Sequence, residues 1–181
     1  MQEVRIEYAG EVTALNTDVL TVTLLKGLLT AILEENVTDV NAPYLAKARC
    51  IRVVEASIAE SDVYASLLTA ELSTDKGAWH VAGTLFHKRE PRIVRIDGFP
   101  LEAPPSGWML VFSNLDVPGV IGRIGTLCGR HAINIAGMQL GRERRGGRAV
   151  SILNLDDPVS EPVLAEIRAM PDIVFAKLVK L

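Results

Sequence analysis

The sequence has 181 residues, of which 49% are hydrophobic and 23% charged, and its formal net charge is −3 at pH 7. This composition excludes a disordered, collagen-like or fibrous chain and predicts a globular protein of one or two domains. The small negative charge gives no electrostatic reason to expect nucleic-acid binding. No apolar run reaches the about 20 residues that a membrane span needs. The N-terminus lacks the features of a signal peptide, so we expect a cytoplasmic protein with no membrane partner.

The first part of the chain combines helix and strand patterns. Val4, Ile6 and Tyr8 recur with a period of two, which predicts a half-buried strand. Apolar residues spaced by three and four then predict a helix over residues 18–35. A turn over residues 41–45 is predicted to lead into a short helix that ends near Arg49. The remaining predicted elements are a turn at Asp75-Lys76-Gly77 and strands over 51–56, 64–72, 79–86 and 93–96. This order predicts a mixed α/β domain.

The segment Ala103-Pro104-Pro105-Ser106-Gly107 can continue neither a helix nor a central strand. We therefore predict a boundary between one domain of residues 1–105 and another of residues 106–181. The second domain follows the order strand, helix, strand, strand, helix, strand, which predicts a ferredoxin-like βαββαβ fold and an α+β class for the chain. Its predicted elements cover residues 108–113, 118–130, 133–141, 148–155, 160–170 and 173–181. The two helices should cover one face of the sheet and leave the other face and the edges for a partner.

The cysteines and histidines predict no metal site. Cys50 and Cys128 lie far apart in the sequence and have no zinc-type spacing, so we expect two buried thiols. His80, His87 and His131 also lack the spacing of metal ligands. No glycine motif for a dinucleotide or a phosphate loop appears, and we expect no cofactor in this chain.

A candidate effector site lies where a predicted strand ends and a helix begins. The exposed amides at the start of that helix favour an anion, and the carboxylate of Asp116 would accept an ammonium group. The amide side chains of Asn114 and Asn134 can both donate and accept hydrogen bonds. The resulting predicted site for a small zwitterion comprises Asn114, Asp116, Gly119, Val120 and Asn134. The alternative is purely structural, with Asp116 capping the helix and Asn134 occupying a turn.

Two further segments are rich in basic residues. Lys88, Arg89 and Arg92 fall within five residues and could bind a phosphate or a carboxylate, although such a run is more often a solvated hairpin. The segment from Gly141 to Arg148 contains four arginines and three glycines. Because no aromatic residues alternate with these arginines, we expect a solvent-exposed loop.

Several motifs together point to a known family. They are Val40–Pro43, Val81–Phe86, Glu90–Val94, Ile96–Phe99, Asp116–Gly122 and Asn134–Arg142. From about residue 3 to the end, the chain resembles the C-terminal regulatory half of long-form D-3-phosphoglycerate dehydrogenase. The resemblance implies an allosteric substrate-binding (intervening) domain followed by an ACT domain.

The resemblance also implies how such a chain works. ACT domains of this family pair edge to edge into an eight-stranded sheet and bind the feedback inhibitor L-serine at the interface. The family's serine-binding positions fall on Asn114, Asp116 and Asn134, and Arg92 matches part of its anion site. A homodimer is expected, and the sequence leaves open whether two dimers form a tetramer.

The nucleotide-binding and substrate domains of the family are absent from this sequence. We therefore expect a fragment that does not oxidise 3-phosphoglycerate by itself, with NAD bound only in the presumed full-length parent. Two alternatives remain open. One is the β subunit of iron-sulfur L-serine dehydratase, although the Ser-Ser-Ser-His run of that family is missing, and the other is a free-standing amino-acid-sensing ACT protein.

Overall fold

The computed structural model describes residues 1–75 and 77–181. Two compact units divide the chain, Met1–Leu85 and Phe86–Leu181. The predicted linker, residues 103–107, falls inside the second unit. The predicted turn at Asp75-Lys76-Gly77 includes Lys76, which lies outside the described residues. Within those residues the predicted α+β class is confirmed.

The first unit packs two helices against paired strands. Its elements are β1 (Glu3–Gly10), a 3-10 turn (Glu11–Ala14), α1 (Asp18–Thr30), α2 (Ala42–Ala48), β2 (Arg52–Ile58), β3 (Ser66–Thr74) and β4 (Gly77–Phe86). The strands lie in the order β2-β1-β3-β4. Strand β1 is parallel to β2 and antiparallel to β3.

The core of this unit follows from the alternation in β1. Val4, Ile6 and Tyr8 are at most 1% exposed and pack with Leu25 and Leu29 of α1. The Tyr8 hydroxyl lies 2.8 Å from that of Thr21, which pairs the only polar atom of the buried ring. Helix α1 ends at Thr30, five residues before the predicted end, because the chain there closes into tight turns.

The second unit contains a hairpin and a βαββαβ fold. Its elements are β5 (Glu90–Ile96), β6 (Phe99–Ala103), β7 (Trp108–Leu115), α3 (Val120–Arg130), β8 (Ile135–Arg142), β9 (Arg148–Leu155), α4 (Glu161–Arg168) and β10 (Ile173–Lys180). The last four strands form an antiparallel sheet in the order β10-β7-β9-β8. This is the ferredoxin-like arrangement predicted from the sequence.

One face of this sheet is covered by helices, and the other is covered in part by a hairpin. One face packs against α3 and α4 through a large aliphatic cluster that includes Leu110, Phe112, Ile124 and Ile167. On the opposite face, residues of the β5–β6 hairpin pack against the sheet; the buried members are Ile96, Leu101, Ala103, Met109, Val150 and Ile152. The expectation that this face is left for a partner is therefore wrong where the hairpin packs, whereas Val179 of β10 remains 38% exposed. Strand β6 escaped prediction because it contains Pro100, which a strand paired on one side tolerates.

The prediction of two buried thiols is half correct. Cys128 is fully buried in α3, whereas Cys50 is exposed. Cys50 lies in a tight turn after α2 with a φ of 55°, and its amide donates to the carbonyl of Lys47. In the described part of the chain, no helix is long and apolar enough to cross a membrane.

Candidate functional site

The end of β7 holds a buried amide side chain. Asn114 is 2% exposed, and its Nδ2 donates to the carbonyl of Leu115 at 2.7 Å. Its Oδ1 has no hydrogen-bond partner among the described residues. Since buried polar atoms are normally paired, this oxygen is available to a bound group or an ordered water beside the β7–α3 junction.

The start of α3 presents backbone amides. Gly119 is the N-cap residue, with a left-handed φ of 93°, and no side chain caps the helix. The amides of the first helical turn have no acceptor within the helix, so they favour an anion. The side chain of Val120 is buried in the core at 2% exposure, so only its amide is available here. Asp116 therefore does not cap α3 as the structural alternative supposed.

Asp116 is held by the β8–β9 hairpin. Its amide donates to the carbonyl of Gly147 at 2.8 Å, and its Oδ2 accepts a hydrogen bond from Nη1 of Arg142 at 2.8 Å. The hydrogen bond from Arg142 holds the pKa of the Asp116 carboxyl below its ordinary value, with partial desolvation opposing it. The segment from Gly141 to Arg148, expected to be only a solvent-exposed loop, therefore contributes directly to the candidate site.

Asn134 lies at the other end of the sheet. Strand register places Ile135, the first residue of β8, opposite Leu155 of β9, whereas Arg142, the last residue of β8, is opposite Ala149. At about 3.3 Å per residue, the ends of β8 are about 23 Å apart. Nδ2 of Asn134 donates to Asp156 at 2.6 Å. Within one chain, the structure brings Asn114, Asp116, Gly119 and Val120 together and leaves Asn134 apart.

The predicted anion-binding residues occupy a tight turn and the strand after it. His87 and Lys88 both have positive φ, and the amide of Arg89 donates to the carbonyl of Phe86 at 3.1 Å. Lys88 and Arg89 are exposed. The guanidinium of Arg92 binds Glu90 at 2.8 Å and lies 5.6 Å from the centre of the Phe86 ring. The carboxylate of Glu90 thus partly compensates the charge of Arg92, which agrees with a solvated hairpin.

A separate cleft opens in the first unit. It has a volume of about 610 Å³, lies between α1, α2 and β2, and combines apolar side chains with Asp18, Lys47, Arg52 and Glu55. None of the predicted site residues lines it. Among the described residues, no group of three or more metal-ligating side chains is assembled.

Sequence reasoning left Arg142 out of the candidate site. Arg142 and Asp116 are 26 residues apart in the chain. Only the antiparallel register of β7, β9 and β8 brings the ends of these strands together. The available signal was the position of Arg142 at the end of a predicted strand, immediately before a glycine-rich turn.

Comparison with known families agrees with this architecture. Residues 1–97 match the D-3-phosphoglycerate dehydrogenase intervening domain, and residues 108–172 match the ACT domain. Fold and site together define a two-part chain in which an ACT domain follows a mixed α/β domain. More particularly, the chain belongs to the D-3-phosphoglycerate dehydrogenase intervening-domain family.

Relatives named D-3-phosphoglycerate dehydrogenase match almost the whole chain. The protein of Methanocaldococcus jannaschii is 37% identical over 96% of this chain, and that of Bacillus subtilis is 34% identical over 100%. The protein of Synechocystis sp. is 40% identical over 92% of this chain. This chain spans only 33%, 34% and 30% of the length of these three relatives, respectively.

Proposed function

We propose that this chain is the regulatory region of a D-3-phosphoglycerate dehydrogenase and binds L-serine as a feedback inhibitor between two copies of its ACT domain. Both family matches and the names of the relatives support the regulatory assignment. In this proposal the dehydrogenase chemistry and NAD belong to the part of the relatives that this chain does not cover. The protein works in the cytoplasm, in the biosynthesis of serine.

The observation that carries the proposal is the separation of Asp116 from Asn134. Asp116 lies beside the end of β8 through its bond to Arg142, and Asn134 directly precedes the start of β8. A small amino acid cannot reach both residues across the length of one strand. A second copy of the chain can supply the missing residue.

Strand β8 offers a way to join two copies. It forms one edge of the sheet, pairing only with β9 among the described residues. The edges are the surfaces of a sheet that accept an additional strand, because their backbone groups are unpaired, whereas helices and the hairpin pack on the faces. When two β8 strands pair antiparallel, the start of each lies beside the end of the other. Asn134 of one copy then approaches Asp116 and Arg142 of the other.

The chemistry of the combined site suits a hydroxylated α-amino acid. The first amides of α3, beginning at Val120, favour the carboxylate of the ligand, and Asp116 accepts its ammonium group. The amide of Asn134 from the other copy can bind the hydroxyl. Such a ligand stabilises the paired arrangement, and allosteric coupling of this kind typically amounts to about 1–3 kcal/mol.

The proposal keeps an anion site at the turn before β5. Lys88 and Arg89 present exposed positive charge in this turn, and Arg92 follows in β5. A phosphate or carboxylate ligand would have to compete with Glu90 for Arg92. Pairing of two such dimers into a tetramer is compatible with this arrangement.

Serine titration of the chain by calorimetry tests the proposal. We expect saturable binding of L-serine, and Asp116→Asn should weaken it by about 10- to 100-fold, since the ligand's ammonium group loses its charged partner. Glu166→Gln removes an exposed carboxylate of α4 and serves as the matched control. The absence of binding by the folded wild-type chain at millimolar serine would refute the proposal.

A mixed-dimer experiment tests the two-copy site. Asp116→Ala and Asn134→Ala should each abolish binding alone. Co-refolding the two variants should restore one intact site in every mixed dimer, because one copy keeps Asp116 and its partner keeps Asn134. A site contained within one copy would show no recovery, since neither variant retains both residues.

A further inference from the structure

The ion pair between Asp116 and Arg142 occupies the place where the proposed ligand's ammonium group would bind. Oδ2 of Asp116 accepts a hydrogen bond from Nη1 of Arg142 at 2.8 Å. Arg142 therefore supplies internally the positive charge that an amino acid would bring. A ligand that uses Asp116 must first displace this guanidinium.

We propose that Arg142 is a specificity-determining residue, which releases Asp116 and binds the ligand's carboxylate when a zwitterion enters. This inference rests on the proposed function. The closed pair presents one negative and one positive group, and the two charges of an α-amino acid complement them. Insertion of the ligand replaces one ion pair with two, Asp116 with the ammonium group and Arg142 with the carboxylate, which the first amides of α3 also favour.

The pair should discriminate against ligands that carry only one charge. An amine can take Asp116 only by leaving Arg142 without its partner. A carboxylic acid can take Arg142 only by leaving Asp116 unpaired, and Asp116 is the more buried of the two side chains at 20% exposure. Leaving a charged group unpaired in a partly buried site is unfavourable. A ligand with one charge leaves either Asp116 or Arg142 unpaired, whereas a zwitterion pairs both.

The two side chains differ in their freedom to move. Asp116 directly follows Leu115, the last residue of β7, and its amide donates to the Gly147 carbonyl at 2.8 Å. The backbone of Arg142 is held at the end of β8, but its side chain is 53% exposed and long enough to turn away. The pair can therefore open by rotation of Arg142 alone, with no change in the strands.

Three ligands of similar size separate the contributions. L-Serine carries both charges, ethanolamine lacks the carboxylate, and 3-hydroxypropanoate lacks the ammonium group. We expect the wild-type chain to bind serine at least about 30-fold more tightly than either of the other two, since each charged contact typically contributes a factor of about 10 or more. Calorimetry of the full chain measures all three affinities.

Arg142→Gln provides the decisive comparison. It should weaken serine binding by about 10-fold through loss of the carboxylate contact. The same variant should tighten ethanolamine binding, because Asp116 no longer has an internal partner. The ratio of the serine affinity to the ethanolamine affinity should therefore fall towards one. Arg144→Gln, in the same hairpin, should leave the ratio unchanged, and Arg142→Lys, which retains the charge, should retain most of the selectivity.

The possible failures are distinguishable. If the wild-type chain binds serine and Arg142→Gln weakens serine and ethanolamine equally, or changes neither, the role of Arg142 is refuted and the proposed function stands. If the folded wild-type chain does not bind serine, the proposed function and this inference are both refuted. Circular dichroism of each variant establishes that it is folded before it is titrated.

Discussion

The carbonyl oxygen of Pro100 in β6 lies so close to Gly141 in β8 that a Cβ atom at residue 141 would overlap it. The obstacle is backbone and cannot rotate away. We therefore predict that Gly141→Ala lowers the free energy of unfolding by about 1–3 kcal/mol, as overpacking of a core commonly does. Chemical denaturation followed by circular dichroism measures the loss.

Gly125→Ala in α3 is the matched control for this prediction. Beyond the neighbouring backbone of α3, a Cβ atom there would meet no described atom within 4 Å, and alanine is favoured over glycine within a helix by about 0.5–1 kcal/mol. Gly125→Ala should leave stability unchanged or raise it. Equal destabilisation by both substitutions would contradict the specific role of the Pro100 contact.

Asn154 holds the segment between β6 and β7 against the sheet. Its Nδ2 donates to the carbonyls of Pro104 and Ser106 at 3.0 and 3.2 Å, and the residue is 8% exposed. Asn154→Ala should cost about 1–3 kcal/mol, because both carbonyls lose a donor. Asn154→Asp should cost more, since a carboxylate would face two carbonyl oxygens. Thermal unfolding of the two variants should therefore rank asparagine above alanine and alanine above aspartate.

The two cysteines should react at very different rates. Burial raises the pKa of the Cys128 thiol above its ordinary value, and the side chain has no exposed surface. Cys50 is exposed at the end of α2. A thiol reagent should modify one cysteine per native chain quickly and the second only after unfolding. Rapid modification of both in the native chain would contradict the buried position of Cys128, and Cys50→Ser should abolish the fast phase.

The pH dependence of Asp116 should follow from its bond to Arg142. Because the folded-state pKa of the carboxyl is lowered, the contribution of the pair to stability is present above the unfolded pKa of about 3.9 and is lost as pH falls through the lower folded pKa. In Arg142→Gln the carboxyl should titrate at a higher pH than in the wild-type chain. NMR detection of the Asp116 carboxyl carbon checks this, and identical titration curves would exclude Arg142 as the cause.

The repeating patterns of the sequence predicted most of the fold. Strand β9 was predicted with its observed ends, Arg148 and Leu155, because a mainly apolar run there follows a glycine-rich turn. Strand β6 was missed because the signal of Pro100 and of the following prolines favours a linker. Because β6 was missed, the β5–β6 hairpin was missed as well, and its packing against the second face of the sheet could not be predicted.

The chemistry of the candidate site stays a prediction, and its geometry was predicted only in part. The junction of Asn114, Asp116 and Gly119 is local in sequence, so spacing sufficed to place these residues together. Asn134 was grouped with them although strand direction separates it from Asp116 by the length of β8. The partnership of Asp116 with Arg142 depends on the register of three strands. Long-range register of this kind is not encoded in any short motif.

The division of the site between the two ends of β8 has a thermodynamic consequence. A ligand that binds only where two chains meet must, by mass action, draw monomers into the assembled form. Its apparent dissociation constant then rises as the protein is diluted, and the response is lost once the subunits separate. Serine affinity measured at several protein concentrations would therefore report the dissociation constant of the dimer as well as the affinity of the site.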